Sequence, residues 1–176
     1  MLLRAERLIN RFSDLLGTIS AVLFVLMMVN VFVNVVLRYT MNIVSIGSQE
    51  MEWHLFATMF MLGIPYTLRH DGHVRVDLIY ERLPSHLKDW IDILGGLLLL
   101  LPFCGLVFWY GLDFAKESWM LNETSGDPGG LPYRWIIKSM ISFTFFATAI
   151  AGIGMILGSV NELRGVKHDH TRKVTL

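Results

Sequence analysis

Residues 15–37 read LLGTISAVLFVLMMVNVFVNVVL, bounded by Asp14 and Arg38, with no charge between them. A hydrocarbon layer about 30 Å thick takes roughly 20 helical residues to cross, so this run predicts a transmembrane helix. Two more uncharged runs lie further along the chain. Ile93 to Leu112 sits between Asp92 and Asp113, and Ser139 to Asn161 between Lys138 and Glu162. Trp53 to Leu68 is shorter and holds His54 and Pro65. It reaches full length by starting near Ser48, with Glu50 and Glu52 in a first turn at the interface, where acids suit the positive end of the helix dipole. The expectation is one all-α membrane domain, 1–176: a four-helix transmembrane bundle with short interfacial helices. Its spans lie near 15–37, 48–68, 91–112 and 138–161, with a cytoplasmic loop 69–88, a periplasmic loop 113–137 and a cytoplasmic tail 162–176.

The composition agrees. The chain is 53% hydrophobic and only 17% charged, and its charges are gathered between the apolar runs. Basic and acidic residues balance at 15 each, which leaves no global field to attract nucleic acid. The single cysteine, Cys104, lies inside an apolar run and excludes a disulfide or Cys-based metal site within one chain. Arg4, Arg7 and Arg11 precede the first run as in a secretory signal. That run is too long for a signal core, however, and no small-residue cleavage site follows it. Leucines and Phe12 between these arginines suit a helix lying in the interface.

Orientation follows from the flanks, because cytoplasmic segments carry the excess of Lys and Arg. Eleven of the fifteen lie in the N-terminal flank, the 69–88 loop and the tail. Arg38, Lys116, Arg134 and Lys138 lie on the other side. Both termini are therefore expected in the cytoplasm. Trp109, Tyr110, Trp119, Tyr133 and Trp135 crowd the outer interface as aromatic anchors.

Polar side chains inside spans need partners, so they mark buried faces. Asn30, Asn34 and Arg38 form one i, i+4, i+8 stripe, and Glu50, His54 and Thr58 form another. Interhelical hydrogen bonding is the favoured reading. A substrate or ion path is the sharper one, but paths carry ionisable groups at mid-depth, whereas Arg38 and Glu50 sit at span ends. Ala147, Ala151, Gly154 and Gly158 make a small-residue seam for close helix packing, either internal or with another subunit. Pro65 and Pro102 are expected to kink their helices. Only His54 lies in a span, so two axial haem ligands are lacking. His70, Asp71, His73 and Asp77 cluster in the cytoplasmic loop with no established metal-ligand spacing. A solvated loop that docks a neighbour is the ordinary explanation. Nucleotide-loop and nucleophile-elbow motifs are both missing, and nothing looks catalytic.

In the cytoplasmic loop, Asp71-Gly72 offers a turn and His73 to Tyr80 alternates polar with apolar residues, as a short extended piece or an interfacial turn would. Ser85 is a good N-cap for the helix that follows. The outer loop holds Ser125-Gly-Asp-Pro-Gly-Gly130, a strong turn signal.

Read in order, Asn34-Val-Val-Leu-Arg-Tyr39 closes span one and Gln49-Glu50 opens span two. Leu62-Gly63, Tyr66-Thr-Leu-Arg69, His73-Val-Arg-Val-Asp77 and Leu83-Pro84 follow, then Leu131-Pro-Tyr-Arg-Trp135 before span four. This order resembles the small permease subunit, DctQ-type, of tripartite ATP-independent periplasmic (TRAP) transporters. It departs at Gln49, where the family commonly has a second Glu. The resemblance implies a sodium-driven secondary transporter of organic acids in the bacterial inner membrane. A periplasmic binding protein delivers substrate to it, and a large multi-span subunit, paired one to one with this chain, carries the sodium and substrate sites. This chain would brace that subunit, widen the docking platform and hold no cofactor. Asn34, Arg38, Tyr39, Glu50, Arg69, His73, Arg75 and Asp77 become structural or partner-interface positions. The span-four seam or the Asn30/Asn34 stripe would pack on the large subunit or an intervening lipid, and Lys116 and Arg134 are docking candidates for the binding protein. A self-sufficient channel or carrier homo-oligomer, or a membrane anchor of a respiratory complex, are the competing readings.

Overall fold

The computed structural model describes residues 2–70 and 83–165, and these are helical apart from their connections. Helix α1 is Leu2–Met41, α2 is Ile46–Arg69, α3 is Ser85–Gly95, α4 is Leu101–Met120 and α5 is Trp135–Leu163. A π-helical turn, Gly96–Leu100, joins α3 to α4, so that His86–Met120 forms one long rod. Among the described residues, three helices are long and apolar enough to cross a membrane: Leu2–Met41, His86–Met120 and Trp135–Leu163. Helix α2 has span length, with 24 residues, but carries Glu50, Glu52, His54 and Pro65.

Residues 2–13 do not form a separate interfacial helix, because α1 runs unbroken from Leu2 through the first apolar run. The segment contains no breaker, and its inner face is held by α5. Ile9 fills the space that a Cβ on Gly154 would need, and Asn161 Nδ2 donates to Glu6 Oε2 at 2.8 Å. Helix α1 ends where Asn42 takes a left-handed φ of 56° and the Ile43 N–H donates to the Leu37 carbonyl, a C-cap that satisfies an orphan carbonyl. Ser45 then caps α2, its side chain accepting from the Ser48 N–H at 3.3 Å.

The prolines act differently from one another. Pro102 has no N–H for the carbonyl four residues back, and its ring would collide with that carbonyl. The helix widens just before it, and the Leu101 N–H reaches the Gly96 carbonyl, five residues back. The π turn absorbs the proline inside a continuous helix. Pro65 is buried within α2 and does not end it. Ser85 is the first helical residue, and Pro84, extended at ψ 151°, takes the cap position expected of Ser85. Pro at that point sets the entry angle without sacrificing a needed donor.

Helix α5 is the hub. It packs against α1, α2, α3 and α4, while α1 otherwise pairs with α2, and α4 with α5. Every buried residue of α5 is Gly, Ala, Ser, Thr or Asn, so neighbouring backbones approach closely on several sides. Larger side chains supply the filling: Leu16, Leu62 and Ala147 form the core cluster, with Phe12, Leu23 and Met140 against it. Tyr66 lies where a side chain on Gly17 would have to be, and Leu100 fills the space beside Gly152. In contrast, no residue of α1 beyond Leu16 is buried, and Val25, Phe32, Leu99 and Trp109 all stand exposed. In water such a surface would be an aggregation liability. It belongs to a chain surrounded by lipid or other helices.

Candidate functional site

Polar side chains tie α1 to α2 near both ends of the pair, and between them Ser20 Oγ donates to the Met59 carbonyl at 2.7 Å. At the loop end, Asn30 Nδ2 donates to the Ser48 carbonyl at 3.0 Å and Ser48 Oγ donates back to Asn30 Oδ1 at 3.1 Å. One turn further, Asn34 Nδ2 donates to Glu52 Oε1 at 2.6 Å. The stripe on α1 therefore faces α2 of this chain. Its hydrogen bonds are made within this chain. Arg38 and Tyr39 do not follow it and stand exposed at the end of α1.

Glu50 reaches in the other direction. Its side chain is buried, and it accepts from Ser125 Oγ and from the Leu131 N–H, the latter at 2.6 Å. One carboxylate thus pins both arms of the loop between α4 and α5. The loop closes on it by its own backbone, with the Ser125 N–H on the Leu131 carbonyl and the Arg134 N–H on the Glu123 carbonyl. Gly130 is required by this approach, since a Cβ there would stand 2.9 Å from Glu50 Oε2. Arg134 places its guanidinium 5.8 Å from the centre of the Trp53 ring. Lys138 pairs with Glu123 and also lies over the Phe114 ring; that hydrogen bond holds the Glu123 carboxyl below the usual carboxylate range. Lys116 is exposed. Of the two docking candidates, then, Arg134 is engaged with the chain's own Trp53 and Lys116 stands open.

His54 and Thr58 share the Glu50 face but bond to their own helix, at 2.7 Å to the Glu50 carbonyl and 2.8 Å to the His54 carbonyl. They do not converge with the α1 stripe on a shared cavity.

At the opposite end the tie is ionic. Arg69 pairs with Asp14 and donates to the Asn10 carbonyl at 2.7 Å. His70 Nε2 lies 3.3 Å from the same Asp14 carboxylate. Burial, and then the Arg69 charge beside it, push the pKa of His70 below the ordinary histidine value, so a neutral ring donating to Asp14 is the state that fits. The sequence reading missed this node. Its signal was an acid just before span one and a base just after span two, which a hairpin of two spans brings to one level. His73, Arg75 and Asp77 lie outside the described residues, as does the tail from residue 166. No cluster of three metal-ligating side chains occurs among the described residues.

The seam residues Ala147, Ala151, Gly154 and Gly158 are all buried within the chain. Ala147 sits in the core with Leu16 and Leu62, and Gly154 meets Ile9. The seam is therefore not open to a large subunit, contrary to that part of the expectation.

This lipid-compatible bundle, fastened at both ends, is similar in sequence to known membrane proteins. The family model described as "Tripartite ATP-independent periplasmic transporters, DctQ component" matches residues 27–162. A protein of Haemophilus influenzae, described as a TRAP transporter small permease protein, is 29% identical over 128 residues, covering 73% of this chain and 72% of its own. The isethionate TRAP transporter permease protein DctMQ of Oleidesulfovibrio alaskensis is 25% identical over 131 residues, which is 69% of this chain but only 20% of that longer one. The chain belongs to the DctQ component family of the tripartite ATP-independent periplasmic transporters, a family of small membrane permease subunits and not of enzymes.

Proposed function

We propose that this subunit crosses the bacterial inner membrane four times and acts as a fixed brace for the large transport subunit of a sodium-coupled organic-acid importer. The observation that carries the reading is the relative named DctMQ, in which a homologous unit forms about a fifth of a single permease chain. One polypeptide holding both parts favours a one-to-one partnership in the unfused case. The polar ties also support a brace. The α1 asparagines, Ser48, Glu50, His54 and Thr58 all bond within the chain, which leaves a stiff body rather than a lined path.

On this reading α2 is the fourth span. Its 24 residues extend about 36 Å, and its polar groups enter the membrane already satisfied. The excess of Lys and Arg in the N-terminal flank, the 69–88 loop and the tail places both termini in the cytoplasm. The 121–134 loop then faces the periplasm, where Lys116 contributes to docking of the binding protein. Sodium and substrate sites lie on the large subunit, and this chain needs no cofactor.

The test is reconstitution. The chain, its large subunit and the binding protein are placed in vesicles under a sodium gradient, with a panel of labelled dicarboxylates, keto acids, sialic acid and sulfonates. Uptake is expected only from the complete set. Flux through this chain alone would overturn the brace and favour a self-sufficient carrier, and a haem absorbance band in the purified chain would favour a respiratory anchor. Lys116→Glu is expected to lower uptake at limiting binding protein; unchanged uptake removes Lys116 from the docking surface.

A further inference from the structure

The geometry points to a binding site for the phosphate headgroup of an anionic phospholipid on the outer face of α1, formed by Arg4, Arg7 and Arg11. This inference goes beyond the brace reading and does not depend on it, requiring only that the chain sits in a bilayer.

The three arginines follow one another at i, i+3 and i+7, and with Leu8 they line an open hollow of about 260 Å³. On the other face of the same turns Glu6 and Ser13 are buried, and this face meets α5 through Glu6 on Asn161 and Ile9 beside Gly154. The arginines are therefore held on a fixed rod and turned outward. Arg7 Nε donates to the Leu3 carbonyl at 3.3 Å, which steadies one guanidinium along the helix. None of the three forms an ion pair with a carboxylate among the described residues.

Their depth selects the ligand. Ile9 lies against Gly154, and Glu6 against Asn161. The arginine face is thus level with the last turns of α5, which are uncharged up to Asn161. Gly154 to Asn161 spans about 10 Å of helix, the depth at which apolar helix gives way to headgroups. Leu8 and Leu15 are exposed on the arginine side of the rod, 67% and 56%, and give acyl chains a surface beside the charges. Guanidinium groups bind phosphate in a planar, two-pronged way and are more weakly hydrated than ammonium groups, and long basic side chains reach the interface while their stems stay in lipid. Three arginines at that level without an ion pair among the described residues, with leucines among them, are complementary to an anionic headgroup and not to a zwitterionic one carrying its own cation.

The experiment is native mass spectrometry of the full chain released from mild detergent, titrated with phosphatidylglycerol or with phosphatidylcholine. The wild type is expected to retain phosphatidylglycerol preferentially. Each of R4Q, R7Q and R11Q should weaken that binding about 5-fold, and the triple variant on the order of 100-fold. The single variants alter exposed side chains only and carry the test if the triple variant does not fold. Lys116→Gln, at the far end of the molecule, should leave phosphatidylglycerol retention unchanged. Equal retention of the two lipids, or unchanged phosphatidylglycerol binding in the arginine variants, overturns the site. Displacement of the lipid by millimolar inorganic phosphate would mean a free-phosphate site and would overturn the lipid assignment.

Discussion

Glu50 shows how one carboxylate at the mouth of a helix can organise a loop that has no secondary structure of its own. Its two oxygens take a hydroxyl from one arm of the 121–134 loop and a backbone N–H from the other, so truncation to Ala leaves both donors unpaired. Glu50→Ala is expected to free the loop and speed its cleavage by added protease several-fold, with helix content unchanged by circular dichroism; a loop as resistant as before would show that its own backbone bonds suffice. His70 makes a pH prediction at the same scale. Its pKa lies below the ordinary histidine value in the folded chain, so below about pH 6.5 the unfolded chain takes up the proton more readily. The neutral ring's contribution is present above that range and is lost as pH falls through the folded value. Between about pH 7.5 and 5.5 the unfolding midpoint should therefore drop in wild type and drop less in His70→Gln. Equal slopes would remove His70 from the Asp14–Arg69 node. The polar residues that need partners were legible in the sequence, because an asparagine at i and i+4 in lipid must face something. The identity of the partner was not, since Asn34 meeting Glu52 depends on the register between two helices.

At the scale of elements, the apolar runs and their lengths predicted where the rods of 15–37, 91–112 and 138–161 would be. What the runs concealed is where rods begin and how they join. Apolar residues among Arg4, Arg7 and Arg11 suggested a helix lying in the interface, yet helix continuity depends on the absence of a breaker and on packing, and Ile9 against Gly154 supplies the packing. Pro102 suggested a kink, and the widened turn before it was invisible because a π turn has no residue signature of its own. The seam on α5 was legible as Ala147, Ala151, Gly154 and Gly158, but small residues do not name their neighbour. Gly154 tests the packing directly. A Cβ there would stand 2.7 Å from Ile9 Cγ2, so Gly154→Ala should destabilise the chain by about 1–3 kcal/mol through overpacking, read as a lower unfolding midpoint in detergent. Pairing it with Ile9→Ala should recover part of the loss. A single variant as stable as wild type would mean that α1 and α5 are not in contact at this level.

For the whole molecule, the distribution of burial matters more than its amount. The small-residue face of the hub helix α5 is covered by its own chain, while the apolar stretch of α1 beyond Leu16 and the outer side of α4 are largely left to the surroundings. Small residues and polar pairs used internally, with broad apolar flanks left open, support the proposed role of a stiff component in a larger membrane assembly. The homologous unit inside the DctMQ permease chain supports the same arrangement. The most direct measurement is to recover this chain, tagged, from native membranes in mild detergent and identify what comes with it by mass spectrometry. A large multi-span partner in equal amount is the predicted result. A stable homo-oligomer of this chain alone, with no large partner at any detergent concentration that keeps it folded, would contradict the brace.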